Sequence, residues 1–343
     1  MKTRLFLGGA GILLLLFLIP QAEVSTPVEK FHIAMGTVVR IALYDDGIDK
    51  HDDEKEILFT VATNEIDRID STMSAYRSNS ELNQLNREAS KQPHHTSSEL
   101  QHLLKLCLVW SQKTGGAYDA TVGPLTELWN FPEALSPPDS ARVDSAKALV
   151  GHKKLLIEPS GVTFSMRGMR VDLGGSAKGY AIDRAVELLQ NAGVEAGLVE
   201  AGGDIRFWGQ KPNGNDWQFG VQHPRERERF LVVEDVGLPA LATSGDYEQV
   251  FEFEGRRFHH LLDPATGYPA NKAISASVWA ENALAADILA TAAFVLGPDA
   301  GCELIEGINS TETVIFYNEG GLVHYRASSG LNGHFTERFG LEQ

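Results

Sequence analysis

An acid and an alcohol, Asp287 and Thr291, stand four residues apart in the alanine-rich run 283–294. At helical spacing they share one face. A carboxylate with a hydroxyl suits a hard cation such as magnesium, which keeps several waters and takes phosphate oxygens from a substrate. An Asp near a helix start often serves only the helix dipole. Here the neighbours are Ala283, Leu284, Ala285, Ala286, Ile288, Leu289 and Ala290. The carboxylate is therefore expected to be buried, and a buried carboxylate needs a partner or a metal. Upstream, Val171-Asp172-Leu173-Gly174-Gly175-Ser176-Ala177-Lys178-Gly179-Tyr180 reads as strand, Gly-Gly turn and helix start. Successive glycines let backbone N–H groups face a phosphate, the helix N-terminus favours negative charge, and Lys178 adds a full positive charge. The spacing is neither a P-loop nor a dinucleotide fingerprint, and a tight strand-to-helix turn explains it equally well. A third stretch, Arg257-Phe258-His259-His260-Leu261-Leu262-Asp263-Pro264, joins a strand-like run to a rigid turn. His259 and His260 point to opposite faces of a strand. One of them can face a cleft as a proton acceptor near neutral pH, although a core or surface His is the commoner case. Together the three stretches suggest phosphoryl or pyrophosphate chemistry.

Weaker signals surround these. Tyr76, Tyr118 and Trp217 could stack on a flat ring, but aromatics more often fill cores. Gly202-Gly203-Asp204 is by itself a tight turn. A serine acyl-transfer reading of Thr243-Ser244-Gly245 lacks a Ser-x-x-Lys partner.

The elements that must position these groups are mixed. Residues 37–44 alternate and are β-rich, which predicts a strand. Residues 54–68 carry apolar groups at helical spacing. Thr96-Ser97-Ser98-Glu99 resembles a capping box before a helix over 100–113 that Gly115 stops. A short helix is expected over 142–150 and strands over 155–157, 162–165 and 169–173. A helix follows over 178–191, residues 217–279 are mostly strand-like, Asn282 caps a helix running to Leu296, and a hairpin turns at Glu319-Gly320-Gly321. Without strict βαβ alternation, the expected class is α+β with a largely antiparallel sheet.

Composition bounds the rest. The 343 residues carry a net charge of −16, which argues against nucleic acid or an anionic membrane surface as the main partner. Lys2, Arg4, the apolar run 5–19 and the end at Pro20-Gln21-Ala22 read as a targeting segment over residues 1–22. Fifteen apolar residues fall short of the roughly 20 that span a bilayer, so export is expected, with an uncleaved anchor as the alternative. No Cys lies near residue 20 to carry a lipid. Cys107 and Cys302 lack metal-site spacing; a buried thiol suits Cys107, and a disulfide stays open.

Several motifs converge on one family. They are Met35-Gly36-Thr37, Met73-Ser74-Ala75-Tyr76, Gly115-Gly116-Ala117-Tyr118-Asp119, Asp172 through Tyr180, Gly202-Gly203-Asp204, Thr243-Ser244-Gly245, His260 through Pro269, and Ala286-Asp287-Ile288-Leu289-Ala290-Thr291. In this order they resemble the ApbE family, the FAD:protein FMN transferases. The resemblance implies a single catalytic domain over 28–343 with an α+β fold similar to the tunnelling fold. It implies magnesium-dependent transfer of FMN from FAD to a Thr or Ser hydroxyl of a target protein, with release of AMP. The target it suggests is a flavoprotein subunit of a membrane electron-transfer complex, met in the periplasm. By motif match, Met35, Tyr76, Ala117, Tyr118, Asp119, Asp172, Lys178 and Leu262 would line the FAD site. Asp287, Thr291 and the Gly175 carbonyl would hold Mg2+, and His260 would be the base, with Asp287 also catalytic. Tyr118 stands where the family commonly has Phe, which should preserve stacking; Gly175 often appears as Ala, and Glu200 replaces a small or amide side chain. The alternatives are a magnesium-dependent FAD pyrophosphatase and a flavin-binding protein without turnover.

Overall fold

Period-two alternation dominates the chain's framework, because most strands bury different residues on their two faces. The computed structural model describes residues 27–44, 52–131, 133–211, 214, 217–226, 228–234 and 236–339. The expected targeting segment, residues 1–22, lies outside them. In chain order the elements are β1 (Val28–Ala34), β2 (Thr37–Tyr44), α1 (Asp52–Met73), α2 (Glu81–Glu88), α3 (Ser98–Lys113), α4 (Gly123–Trp129), α5 (Ser140–Lys147), β3 (Leu155–Glu158), β4 (Gly161–Phe164) and α6 (Ala177–Asn191). There follow β5 (Ala196–Ala201), β6 (Asp204–Trp208), β7 (Phe219–Gln222), β8 (Arg229–Val233), β9 (Ala240–Gly245), β10 (Val250–Phe253), β11 (Arg256–His259) and β12 (Ser275–Ala280). The chain closes with α7 (Ala283–Leu296), α8 (Pro298–Glu306), β13 (Thr311–Glu319), β14 (Leu322–Ala327) and β15 (Phe335–Phe339).

Eight strands form one sheet in the order β1-β2-β5-β6-β9-β12-β13-β14, and each neighbouring pair is antiparallel. Val39, Ile41, Val199, Ala242, Ala276, Val278 and Ile315 turn to one face, where α1, α6 and α7 bury the main core. Leu241, Trp279, Val314 and Phe316 turn to the other, where Val221, Leu231 and Val233 of the small sheet β15-β8-β7 cover them. This is the expected α+β class with an antiparallel sheet.

Most expected elements appear within a few residues of their predicted bounds. Asn282 caps α7 by accepting the Ala285 N–H at 2.8 Å. The cap of α3 is Ser97 and not Thr96: its hydroxyl accepts the Leu100 N–H at 3.2 Å, and Glu81 holds Ser97 from α2. The strand expected over 169–173 does not form. Instead the Asn86 side chain pairs with Val171 like a strand neighbour, accepting its N–H at 2.7 Å and donating to its carbonyl at 2.9 Å. The extended backbone is kept, but its partner is a side-chain amide.

Candidate active site

The loop that opens α6 is shaped by Asp172. One carboxylate oxygen accepts the Gly174 N–H at 2.8 Å and the other the Thr126 hydroxyl at 2.7 Å. The Leu173 carbonyl takes the N–H groups of Ser176 and Ala177 at 3.0 and 2.8 Å. The expected phosphate cradle is therefore narrower than the glycines suggested. Gly175 is the loop glycine whose N–H has no protein partner among the described residues.

Helix α7 is brought against this loop by two devices. Both oxygens of Asp183 on α6 accept N–H groups of α7, from Ala283 and Leu284, each at 2.9 Å. Arg206 donates to the same carboxylate at 2.7 Å. Gly179 removes the side chain where the helices touch, since a Cβ there would lie 2.3 Å from the Ala283 carbonyl oxygen. The result places Asp287, 4% exposed, beside the start of α6, where its Oδ2 accepts the Gly179 N–H at 3.1 Å. One turn on, the Thr291 hydroxyl lies 2.9 Å from where a Gly175 Cβ would stand and 3.4 Å from the Ser244 hydroxyl. The expected trio of Asp287, Thr291 and Gly175 thus comes together.

Lys178 completes the charge balance. Its ammonium lies 2.6 Å from Asp204, which is 1% exposed. Burial pulls its pKa down, but Asp204, Asp287 and Glu248 outweigh that and hold it above the ordinary lysine value, so Lys178 stays charged. Asp287 meets the opposite balance. Burial, then the like charge of Asp204, push its carboxyl up to about 7, against the pull of Lys178 and the Gly179 N–H. Of its two oxygens only Oδ2 has a hydrogen bond among the described residues. A carboxylate this poorly satisfied suits a cation. No cluster of three Asp, Glu, His or Cys side chains occurs among the described residues, so a cation here would draw on mixed oxygens and on substrate phosphate, which fits magnesium.

His260 faces this charge cluster. Burial, then His259 and Lys178, lower its pKa to about 4, so the ring is neutral at pH 7, and its Nδ1 has no partner. Leu262 is buried with Leu125, Trp129 and Phe258 in a satellite core that holds this segment in place. Met35 sits in the left-handed region at φ 53° with Gly36 beside it, forming the two-residue turn between β1 and β2. The matching turn at Gly202-Gly203 packs against it: a Cβ on Gly202 would lie 2.8 Å from the Thr37 hydroxyl. That contact delivers Asp204, the next residue, to Lys178.

The aromatic and acidic candidates divide. Tyr76 is 76% exposed on a loop that the Asn83 amide anchors through the carbonyls of Ala75 and Arg77. Desolvation and the Asp172 charge both raise its phenol, which puts it in the field of Asp172. Tyr118 and Trp217 do not offer a free face. Tyr118 is buried behind Gly175 with its hydroxyl donating to Cys107 Sγ at 3.2 Å. Trp217 packs among Tyr44, Phe207 and Phe219. Tyr118 supports the loop from the core side, its ring behind Gly175 and its hydroxyl on Cys107. Ala117 is buried beside it. Both Asp119 oxygens are occupied, by Thr121 and by the His152 N–H, so its carboxylate ties two loops together. Asp204 and Ser244 were read from sequence only as members of short motifs, without these partners; the role of each depends on a residue far away in the chain. Cys107 and Cys302 are both free and buried.

The ApbE family model matches residues 35–316, which include every site residue just described. The chain belongs to the ApbE family. Among its ApbE relatives, the FAD:protein FMN transferase of Vibrio cholerae is 32% identical over 317 residues, covering 90% of this chain and 94% of that protein. That of Haemophilus influenzae is 32% identical over 306 residues, covering 86% and 88%. Solved ApbE structures agree. The Thermotoga maritima protein superposes with a TM-score of 0.80 at 32% identity, covering 90% of this chain and 99% of that one. The Pseudomonas stutzeri flavinyl transferase gives 0.80 at 28% identity, covering 93% and 98%.

Proposed function

We propose that this ApbE protein transfers FMN from FAD to a Thr or Ser hydroxyl of a target protein, with magnesium, releasing AMP. The observation that carries the reading is the convergence of Asp287, Thr291 and Gly175 beside the Lys178–Asp204 pair. The names of its relatives support flavin transfer. Asp287, Thr291 and the Gly175 carbonyl would hold magnesium, which when bound neutralises charge on the FAD diphosphate. Lys178 supplies a second, fixed positive charge. Met35, Ala117 and Leu262 form the apolar surroundings of the flavin nucleotide, and Tyr76 offers it an aromatic face. Tyr118, Asp119 and Asp172 shape the loops that face it.

His260 takes the proton from the acceptor hydroxyl on a ring nitrogen. The acceptor oxygen bonds to the FMN phosphorus as the bond from that phosphorus to the AMP oxygen breaks, and AMP leaves with the electron pair. Positioning and electrostatics supply most of the rate. The protein is exported by the segment over residues 1–22, and acts in the periplasm, free or held at the inner membrane if that segment is retained. Its target is a flavoprotein subunit of a membrane electron-transfer complex. Incubation with FAD, magnesium and such a subunit, read by in-gel flavin fluorescence and AMP release, tests this. Fluorescent target with equimolar AMP is expected. AMP and FMN without labelled target would make it a pyrophosphatase, and neither product would make it a binding protein.

A further inference from the structure

Strand β1 forms one end of the eight-stranded sheet, and among the described residues no strand pairs with its outer edge. The turn to β2 fixes which groups that edge presents. Ala34 and Thr37 flank the two-residue turn and face each other, so their N–H and C=O groups bond across the hairpin. Alternation then aims the backbone groups of Lys30 and His32 at β2, and those of Glu29, Phe31 and Ile33 outward. The outward positions Phe31 and Ile33 are also bare: their side chains are 62% and 80% exposed, and Val38, opposite Ile33 on β2, is 55% exposed. The other face of the strand is covered. Lys30 pairs with Glu56 of α1 and lies over the Phe59 ring, and His32 lies 2.8 Å from Asp67 of α1. Charges beside the bare face are satisfied as well, since Arg40 takes Glu29 at 3.2 Å and Glu200 at 2.9 Å. Sheet edges are ordinarily guarded by outward charge, Pro or a bulge. The opposite end of this sheet follows that rule, with His324 and Arg326 at exposed positions of β14. Phe31 and Ile33 leave β1 without such a guard.

An open edge beside a bare apolar face is best covered by a partner that supplies a strand and apolar side chains together. A lipid surface would cover the side chains but leave the backbone groups unpaired. A second β1 supplies both, because the strand complements itself in the antiparallel sense. We propose that two copies of this chain pair through β1 and continue the sheet across a two-fold axis at His32. Phe31 then stands opposite Ile33 of the partner subunit, and Ile33 opposite the partner's Phe31, in two symmetric aromatic–branched pairs. Both members of each pair aim their N–H and C=O groups at the join, as a hydrogen-bonded antiparallel pair requires. The same register sets Lys30 opposite the partner's Ala34 and Glu29 opposite the partner's Met35, which keeps like charges apart. His32 faces its own counterpart, each ring beside an Asp67 carboxylate. Two seven-residue strands with these side chains cover less than the roughly 1,200–2,000 Å² of a standard interface, so the dimer is a weak one, with a dissociation constant of about 1–100 µM.

The pairing does not depend on the flavin-transfer reading, and it is measured without turnover. The test uses the full-length chain in a mild non-ionic detergent, followed by sedimentation equilibrium at rising protein concentration. A monomer–dimer equilibrium in the micromolar range is expected. The double variant F31K/I33K changes only exposed side chains, and circular dichroism checks its fold. It should weaken association by about tenfold or more. A second measurement reads the register. Cys107 and Cys302 are the only native cysteines, and both are buried. His32→Cys therefore supplies the one accessible thiol, and mild oxidation should join two copies by a disulfide that dithiothreitol reverses. Leu322→Cys, on the opposite edge, should stay uncrosslinked under the same oxidation. A native chain that stays monomeric at about 1 mM, association undiminished in F31K/I33K, or His32→Cys crosslinking no better than Leu322→Cys would each overturn the proposal. So would loss of the dimer to added phosphatidylcholine vesicles that bind the native chain but not F31K/I33K, which would give the face to lipid.

Discussion

Asp287 stands between opposed pressures, as its neighbour Asp204 does. It is buried, near Asp204, and raised to about 7, while Lys178 and one N–H hold it back. A cation must displace the proton, so apparent magnesium affinity should fall about tenfold per pH unit below 7. Isothermal titration at pH 6 and 8 measures this. The sign for stability is the reverse. A carboxyl raised in the folded state stabilises the metal-free protein at low pH, and that contribution is lost as pH rises through about 7. Asp287→Asn should keep the fold and reduce turnover by about 10³-fold or more. His260, already neutral above about 4, should give no acid limb near 7, so a limb there at limiting magnesium belongs to Asp287. His260→Ala should cut transfer by about 10²–10⁴-fold with FAD affinity little changed, as equilibrium binding would show. At this scale the sequence was readable where chemistry and neighbours agreed: an acid among alanines had to be buried. It was unreadable where the partner is remote. Nothing near Asp204 announces Lys178, and nothing near Tyr118 announces Cys107.

Helices α6 and α7 form the frame on which those residues meet. Two contacts hold them, and each makes an expectation. Gly179→Ala would drive a Cβ into the Ala283 carbonyl, which should cost about 1–3 kcal/mol in urea denaturation and weaken magnesium binding as Asp287 and Gly175 separate. Asp183→Ala would strip the start of α7 of its acceptor and leave Arg206 unpaired, a loss of about 3–5 kcal/mol for a buried pair broken on one side. Both helices were legible, α7 from its Asn282 cap and α6 from its glycine turn and apolar spacing. Seven elements were not: β1, α2, α4, β5, β6, α8 and β15. In β1 the apolar Phe31 and Ile33 face solvent while Lys30 and His32 are half-buried, the reverse of the usual outward-polar pattern. Helix α2 is eight residues long, and α4 begins at Gly123-Pro124, a pair that reads as a turn.

Across the whole molecule, the sheet joins segments distant in sequence into one scaffold. Residue 35 reaches residue 202 because β2 pairs with β5. Thr291 reaches Ser244 because α7 packs on β9. Fold class was legible because the mixture of elements excluded βαβ repetition. Strand order was not, since pairing such as β6 with β9 and β9 with β12 is set by packing on both faces. This architecture puts every proposed magnesium and diphosphate contact on elements buried in the main core, while the target protein meets the surface. The most direct test is a flavin-transfer reaction with purified target, FAD and magnesium, comparing the native chain with Asp287→Asn at equal folded concentration. The account predicts a fluorescent, covalently flavinylated target and one AMP per label for the native chain, and neither for the variant. Undiminished labelling by Asp287→Asn would contradict it.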